Sequence, residues 1–312
     1  MTDTASHGTH DFVDDPRNAE ILISVNGELT RRAEAVVSVF DAGFVLGDGV
    51  WEGLRVSGGH PAFLELHLDR LWEGATALML DIGRTREELT RDLYATLAAN
   101  DMRDGVHIRL MVTRGPKSTP YQDPRMTAGP ATIVIIAEHK EPLPKTTVTG
   151  LSLFTTHVRR ASPDTLDPKL NAHSKLNDIL ACIQAYTAGA DEALMLDPQG
   201  FVATCNSTHF FIVKGDAVWT SSGAYCLGGI TRSNVLRVCD EAGIPASQRL
   251  FSLTDVYSAD EAFVTGTFAG VVPVHTVDGR RIGSGERGPV VERLQGLYQD
   301  LVARDVAARV TP

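Results

Sequence analysis

Stretches that alternate apolar and polar residues, as strands do, are interleaved along this chain with stretches whose apolar residues recur at helical spacing. That interleaving restricts the fold to a mixed α/β class. Residues 21–27, followed by Glu28-Leu29-Thr30, alternate and then turn at Asn26-Gly27, a pair suited to the positive φ angles of a tight hairpin. Gly58-Gly59 marks a second hairpin ahead of Pro61. Leu64, Leu68, Leu71, Trp72, Ala75 and Met79 then repeat at helical spacing. Thr85-x-x-Glu88 is a capping box ahead of Leu89, Leu93 and Leu97. Residues 106–113 and 131–137 read as buried strands. Further on, strands are expected at 151–157, 192–196, 209–213 and 261–265, with helices near 175–188, 231–242 and 289–303.

A chain of 312 residues exceeds what one ordinary core supports, so two domains are expected. Between residues 138 and 150, Pro142 and Pro144 stand among Glu138, Lys140, Glu141 and Lys145, with little apolar content. The expected division is a flexible tail at 1–19, a small α/β domain at 20–140, a linker at 141–150 and a larger mixed α/β domain at 151–312. No apolar run approaches the roughly 20 residues of a membrane span, and the polar start lacks the pattern of a secretory signal. A net charge of −10 opposes non-specific attraction to nucleic acid or to an anionic membrane. Cys182, Cys205, Cys226 and Cys239 lie far apart, so neither a metal cluster nor a disulfide framework is expected, and a cytoplasmic location fits.

Three segments carry candidate chemistry. Gly228-Gly229 leads into a helical pattern at Ile230-Thr231-Arg232, and a helix start of this kind offers free backbone N–H groups and a favourable dipole to an anion such as phosphate. A tight turn feeding a helix explains the same glycines. Thr265-Gly266-Thr267 follows an expected strand and places hydroxyls and N–H groups at its end, where α/β sites form. Arg70 lies on a helix between apolar neighbours, either as an anion ligand or as a salt-bridged surface group.

Taken in order, these segments resemble the class IV aminotransferases, in particular their branched-chain and D-amino-acid members. The resemblance runs through Val39-Phe40-Asp41, 47–55 (Gly-Asp-Gly-Val-Trp-Glu-Gly-Leu-Arg) and 66–71 (Leu-His-Leu-Asp-Arg-Leu). It continues through Thr113-Arg114-Gly115, 228–232 and 264–270, and spans about residues 20–310. It implies the family's two-domain fold type IV, pyridoxal 5'-phosphate (PLP) as cofactor and a homodimer. It further implies that Arg70, the backbone of Ile230 and Thr231, Gly266 and Thr267 hold the cofactor phosphate. Arg109 then matches an arginine that grips a substrate carboxylate, a task suited to a guanidinium, and Trp51 lies at the substrate; a strand-end salt bridge remains the other reading of Arg109.

The chain departs from the family where the chemistry is most demanding. The family's Schiff-base lysine follows an Asp-Pro by four residues, and here Asp167-Pro168-Lys169-Leu170-Asn171 puts an asparagine in that column. Lys169 stands two residues before it, on the same face if the segment is a strand, and Lys175 stands four residues after it, where many relatives carry an aromatic residue. Lys175 is the favoured amine and Lys169 the alternative. The second departure is Thr204, where relatives carry a glutamate that keeps the pyridine nitrogen protonated. His209 replaces an asparagine and reads as a structural group or a proton carrier, while His173 is a candidate acid or base near Lys175. The expected function is transamination of a small amino acid. A lyase or racemase on the same fold remains open, as does a member that has lost PLP and binds another phosphate or carboxylate ligand.

Overall fold

The computed structural model describes residues 8–310. They fall into two compact units: one of Asp14–Glu141, Leu170–Lys175 and the described part of Ala303–Pro312, the other of the described part of Met1–Val13, Pro142–Lys169 and Leu176–Val302.

The first unit carries strands β1 (Leu22–Val25), β2 (Glu28–Arg31), β3 (Gly49–Ser57), β4 (His60–Pro61), β5 (Val106–Thr113) and β6 (Thr132–His139), hydrogen-bonded in the order β2-β1-β6-β5-β3-β4. Its helices are α1 (Ala42–Leu46), α2 (Leu64–Ala77) and α3 (Arg86–Ala99). On one face of β3 and β5, Val50, Leu54, Val56, Ile108 and Leu110 pack with Leu64, Leu68, Leu71, Leu89 and Leu93 of α2 and α3. The Asn26-Gly27 and Gly58-Gly59 hairpins form with positive φ at all four residues. The Thr85–Glu88 capping box is present in both directions.

The second unit carries β7 (Leu151–Thr155), β8 (Glu192–Leu196), β9 (Val202–Cys205), β10 (His209–Lys214), β11 (Ala217–Thr220), β12 (Ala246–Gln248), β13 (Glu261–Gly266), β14 (Gly270–Val277) and β15 (Arg280–Arg281). Eight of them run in the order β12-β11-β10-β13-β14-β7-β8-β9, with β15 on β14. Helices α4 (Pro144–Thr149), α5 (Pro163–Leu166), α6 (Leu176–Thr187), α7 (Ile230–Glu241) and α8 (Leu253–Tyr257) follow, and α9 is Pro289–Val310.

Where a linker is expected at 141–150, α4 forms and buries Thr146, because Pro144 suits the first turn of a helix. In the opening segment, expected to be a flexible tail, Thr9 and Asn18 are buried and Phe12 bridges to Pro142; residues 1–7 lie outside the described residues. Asn18 Nδ2–H donates to the His139 carbonyl, and its Oδ1 accepts from the His139 N–H, which ties this polar segment to β6.

The feature that places the chemistry is the free edge of β3. Its partner β4 spans two residues and reaches only Val56 and Ser57. The start of β3 is taken instead by residues 171–173: Trp51 N–H donates to the Asn171 carbonyl and His173 N–H to the Gly49 carbonyl, each at 3.0 Å, around a Val50–Ala172 bridge. Gly49 is required here, since a Cβ would stand 2.5 Å from the Val112 carbonyl oxygen and 3.0 Å from the His173 ring. Lys169 is not part of this pairing. Asp167 Oδ1 accepts from the Lys169 N–H at 2.9 Å, which turns the chain before the strand-like segment begins and leaves Lys169 exposed. The shared face expected for Lys169 and Asn171 therefore does not form.

Candidate active site

In the first unit, residues 171–175 carry three side chains against β3. Asn171 Nδ2–H donates to the Trp51 carbonyl at 2.5 Å, and His173 Nε2 lies 3.1 Å from the Val50 carbonyl. The Trp51 indole N–H donates to the Ala172 carbonyl at 3.1 Å, which fixes the ring. Lys175 Nζ donates to Asn171 Oδ1 at 3.4 Å and stands 5.3 Å from the centre of the Trp51 ring. The amine of residue 175 thus lies beside the side chain that occupies the family's lysine column. Burial holds His173 below the ordinary histidine range, and the charges of Arg109 and Lys175 act in the same direction, so its ring is neutral near pH 7.

Arg109 is opposite Gly53 in the β3–β5 ladder, and its guanidinium stacks on the Trp51 ring with Cζ 3.7 Å from the ring centre. No side chain lies on Gly53 to displace it. Burial pulls its pKa below the usual guanidinium range, opposed by the charge of Glu138, yet an arginine remains charged at any physiological pH. A stacked, partly desolvated guanidinium is suited to a carboxylate that arrives from outside.

Arg70 projects from α2 onto Glu52, a carboxylate with no exposed surface. Its Nε and Nη2 donate to the two carboxylate oxygens at 2.8 and 2.6 Å. His67, three residues earlier on α2, puts Nδ1 2.6 Å from Glu52 Oε2. Burial opposes ionisation of Glu52, but Arg70 and His67 outweigh it, and the carboxyl sits below its usual range. Burial likewise outweighs Glu52 at His67 and keeps the imidazole neutral, so Nδ1–H donates. Arg70 is therefore braced by an anion chosen by the fold, in a fork that fixes the guanidinium plane. Sequence reasoning named Arg70 but missed Glu52 and His67. The signal was present: Val50, Glu52, Leu54 and Val56 share one parity of β3, so Glu52 is a charge on the core face.

The second unit carries the anion-binding features. Helix α7 starts at Ile230 with Gly229 as its N-cap, and no side chain caps it, so the N–H groups of Ile230 and Thr231 have no side-chain acceptor there. A Cβ on Gly229 would meet His209 Nε2 at 2.2 Å, which makes glycine obligatory and places the His209 ring against the helix start. Thr265 is paired with His209 across the β10–β13 ladder, so both side chains leave the same face. Its Oγ1 is fully buried with no hydrogen-bond partner among the described residues. Thr231 Oγ1 is 3.5 Å from the Tyr298 hydroxyl, and Gly266 and Thr267 lie at the β13–β14 turn, half-buried. An orphaned hydroxyl beside an uncapped helix start fits a phosphate.

The position of Thr204 offers less. Its hydroxyl donates to the Thr208 carbonyl at 2.8 Å, so the proton is already engaged. The nearby carboxylate Glu192 accepts from Thr208 Oγ1 at 2.7 Å and from Thr9, and burial pushes its pKa up despite these bonds. No carboxylate among the described residues of this turn reaches Thr204, and burial moves Glu192 toward its neutral form. Glu192 and Thr265 were not anticipated from sequence, because their roles depend on partners distant along the chain.

The comparisons agree on one family. A family model described as amino-transferase class IV matches residues 49–277. The chain is 43% identical over 286 residues to branched-chain-amino-acid aminotransferase-like protein 2 of Arabidopsis thaliana, a match covering 92% of this chain and 51% of that protein. It thus spans about half the length of that relative. It is 35% identical to a branched-chain-amino-acid aminotransferase of Pseudomonas aeruginosa, covering 90% of this chain and 93% of the relative. A branched-chain amino acid aminotransferase solved with pyridoxamine 5'-phosphate matches with TM-score 0.85 and 30% identity, covering 91% of this chain and 94% of that one.

The histidines of the first unit yield a test. His67 and His173 are both held below the ordinary value of 6.5, first by burial, so below that pH the unfolded chain binds protons that the folded chain refuses. Stability is complete above about pH 6.5 and declines below it, by up to about 1.4 kcal/mol per pH unit for each such group. The thermal midpoint should fall between pH 7 and pH 5. A flat profile over that range would contradict the neutral, buried assignment.

Proposed function

The chain belongs to the class IV aminotransferases, and we propose that it is a PLP-dependent transaminase of the branched-chain or D-amino-acid type, acting on a small amino acid and a keto acid. The observation that carries this reading is the Lys175 amine beside Asn171 Oδ1. An amine is kept where the family needs one although the family's own lysine position holds an asparagine. PLP, when bound, supplies the electron sink that lets an amino acid lose its α-proton.

The residues present fit two of the three polar ends of that cofactor. The uncapped amides of Ile230 and Thr231, with Thr265 and Thr267 at the end of β13, bind a phosphate in the second unit. In the first unit, Arg70 is a guanidinium braced by Glu52, of a kind suited to an anion. Lys175 supplies the amine for covalent attachment and holds or moves the proton at Nζ, which requires it to pass through its neutral form. Arg109 orients the substrate carboxylate, and Trp51 keeps the guanidinium plane fixed.

The third end differs. The engaged hydroxyl of Thr204 supports a second reading, a lyase or racemase, because such chemistry asks less of the ring as an electron sink. Assembly into a homodimer is part of the proposal. Leu176, Ile179, Leu180, Ile183 and Tyr186 form an exposed apolar stripe on α6 at helical spacing, a surface of the kind that a twofold interface covers. No helix among the described residues is long and apolar enough to cross a membrane, and four free cysteines suit a reducing cytoplasm.

Incubation with PLP, borohydride reduction and peptide mass mapping test the amine. A pyridoxyl group is expected on Lys175, absent in Lys175→Ala together with activity, which should fall by about 10²-fold or more, and retained in Lys169→Ala. Labelling of Lys169 would refute the choice of residue, and a protein that takes up no PLP would refute the enzyme class. Light scattering at micromolar concentration should show a dimer, and Ile179→Glu should shift it toward monomer; a monomeric wild type would exclude the dimer.

A further inference from the structure

We propose that Asn171 is a positioning residue whose side-chain amide holds the Lys175 amine at the point the family's lysine would otherwise serve. This inference rests on the reading of Lys175 as the cofactor-bearing amine. Asn171 is 5% exposed and is held from three directions. Its backbone carbonyl accepts from Trp51 N–H, its Nδ2–H donates to the Trp51 carbonyl, and its Oδ1 accepts from Lys175 Nζ. Chemistry settles which way the amide faces. The Trp51 carbonyl can only accept, so the NH2 group must point to it, and the oxygen is left for the lysine.

The choice of an amide has consequences for the amine. A carboxylate at the same place would pair with the ammonium form and oppose loss of its proton, whereas a neutral oxygen receives the amine with no net charge of its own. An aliphatic side chain would leave the Trp51 carbonyl unanswered and the lysine untethered. Among the described charged groups near Lys175 are Arg109, which shares the Trp51 ring, and His173, which is neutral. A second positive charge on that ring disfavours an ammonium, so the neutral amide and the shared indole act in one direction.

The geometry also accounts for how a four-residue displacement can be tolerated. Residue 171 is on the edge of β3 and residue 175 ends the same segment just before α6, so a long side chain from 175 reaches back to the short one at 171. Asn171 and Lys175 together occupy the place of one lysine.

The test uses the full chain, PLP as the probe, and borohydride trapping followed by peptide mapping as the readout, with circular dichroism confirming that each variant is folded. Asn171→Ala should label Lys175 about tenfold more slowly than wild type, from loss of one hydrogen bond to an amine. Asn171→Asp, nearly the same shape, should move the pH midpoint of labelling upward by about one unit, since a carboxylate stabilises the ammonium. A residue with a purely structural role would not move that midpoint. Asn171→Lys combined with Lys175→Ala should restore labelling, now at position 171. If Asn171→Ala and Asn171→Asp label Lys175 with wild-type rate and midpoint, or the double variant stays unlabelled while folded, the positioning role is overturned and Lys175 keeps its assignment. Absence of label on Lys175 in the wild type would overturn the functional reading itself, and this inference with it.

Discussion

The chemistry at the amine end depends on a strand edge that the sheet does not complete by itself. Because β4 stops after two residues, the first three residues of β3 retain unpaired backbone groups, and the segment at 171–173 satisfies them. Unpaired backbone groups at a buried edge are costly, so this pairing is strongly favoured. It carries Asn171 and His173 to the backbone carbonyls of β3 and, two residues later, Lys175 to the Trp51 ring, and the close approach is open only because position 49 has no side chain.

Electrostatics then divides the labour. Each cation near the candidate chemistry is held by a different device: Arg70 by a buried carboxylate, Arg109 by an indole face, Lys175 by an amide oxygen and the same indole. The strength of these devices ranks the roles. A buried bidentate ion pair fixes a permanent charge, whereas an amide contact at 3.4 Å leaves a lysine able to change protonation state. At Thr204 the hydroxyl is already engaged, and burial pushes the carboxyl tied to that turn through Thr208 toward its neutral form.

What could be read from the sequence was local. The hairpins at Asn26-Gly27 and Gly58-Gly59, the Thr85–Glu88 capping box and the glycine entry to α7 each depend on a few adjacent residues, and each formed as expected. The preference for Lys175 over Lys169 rested on its column in the family pattern, the reach of its side chain and the Asn177 that follows it, and the structure adds what spacing could not: the Asp167 side chain turns the chain at Lys169. Glu52 as the partner of Arg70, the 171–173 pairing with β3, and the engagement of the Thr204 hydroxyl stayed hidden, because they join residues brought together by the sheet or decided by one hydroxyl rotor. Glu52 was within reach of a parity argument; the β3 edge, some 120 positions from Asn171, was not.

The central claim is that one amine has moved four residues along the chain while its point of action has stayed beside position 171. A crystal structure of the PLP-treated, borohydride-reduced protein tests it most directly. The account predicts continuous density from the pyridoxyl group to Lys175 Nζ, with Asn171 Oδ1 within hydrogen-bond distance of that nitrogen and the Asn171 amide still donating to the Trp51 carbonyl. Density joining the pyridoxyl group to another lysine, or a Lys175 adduct with its nitrogen turned away from Asn171, would contradict it.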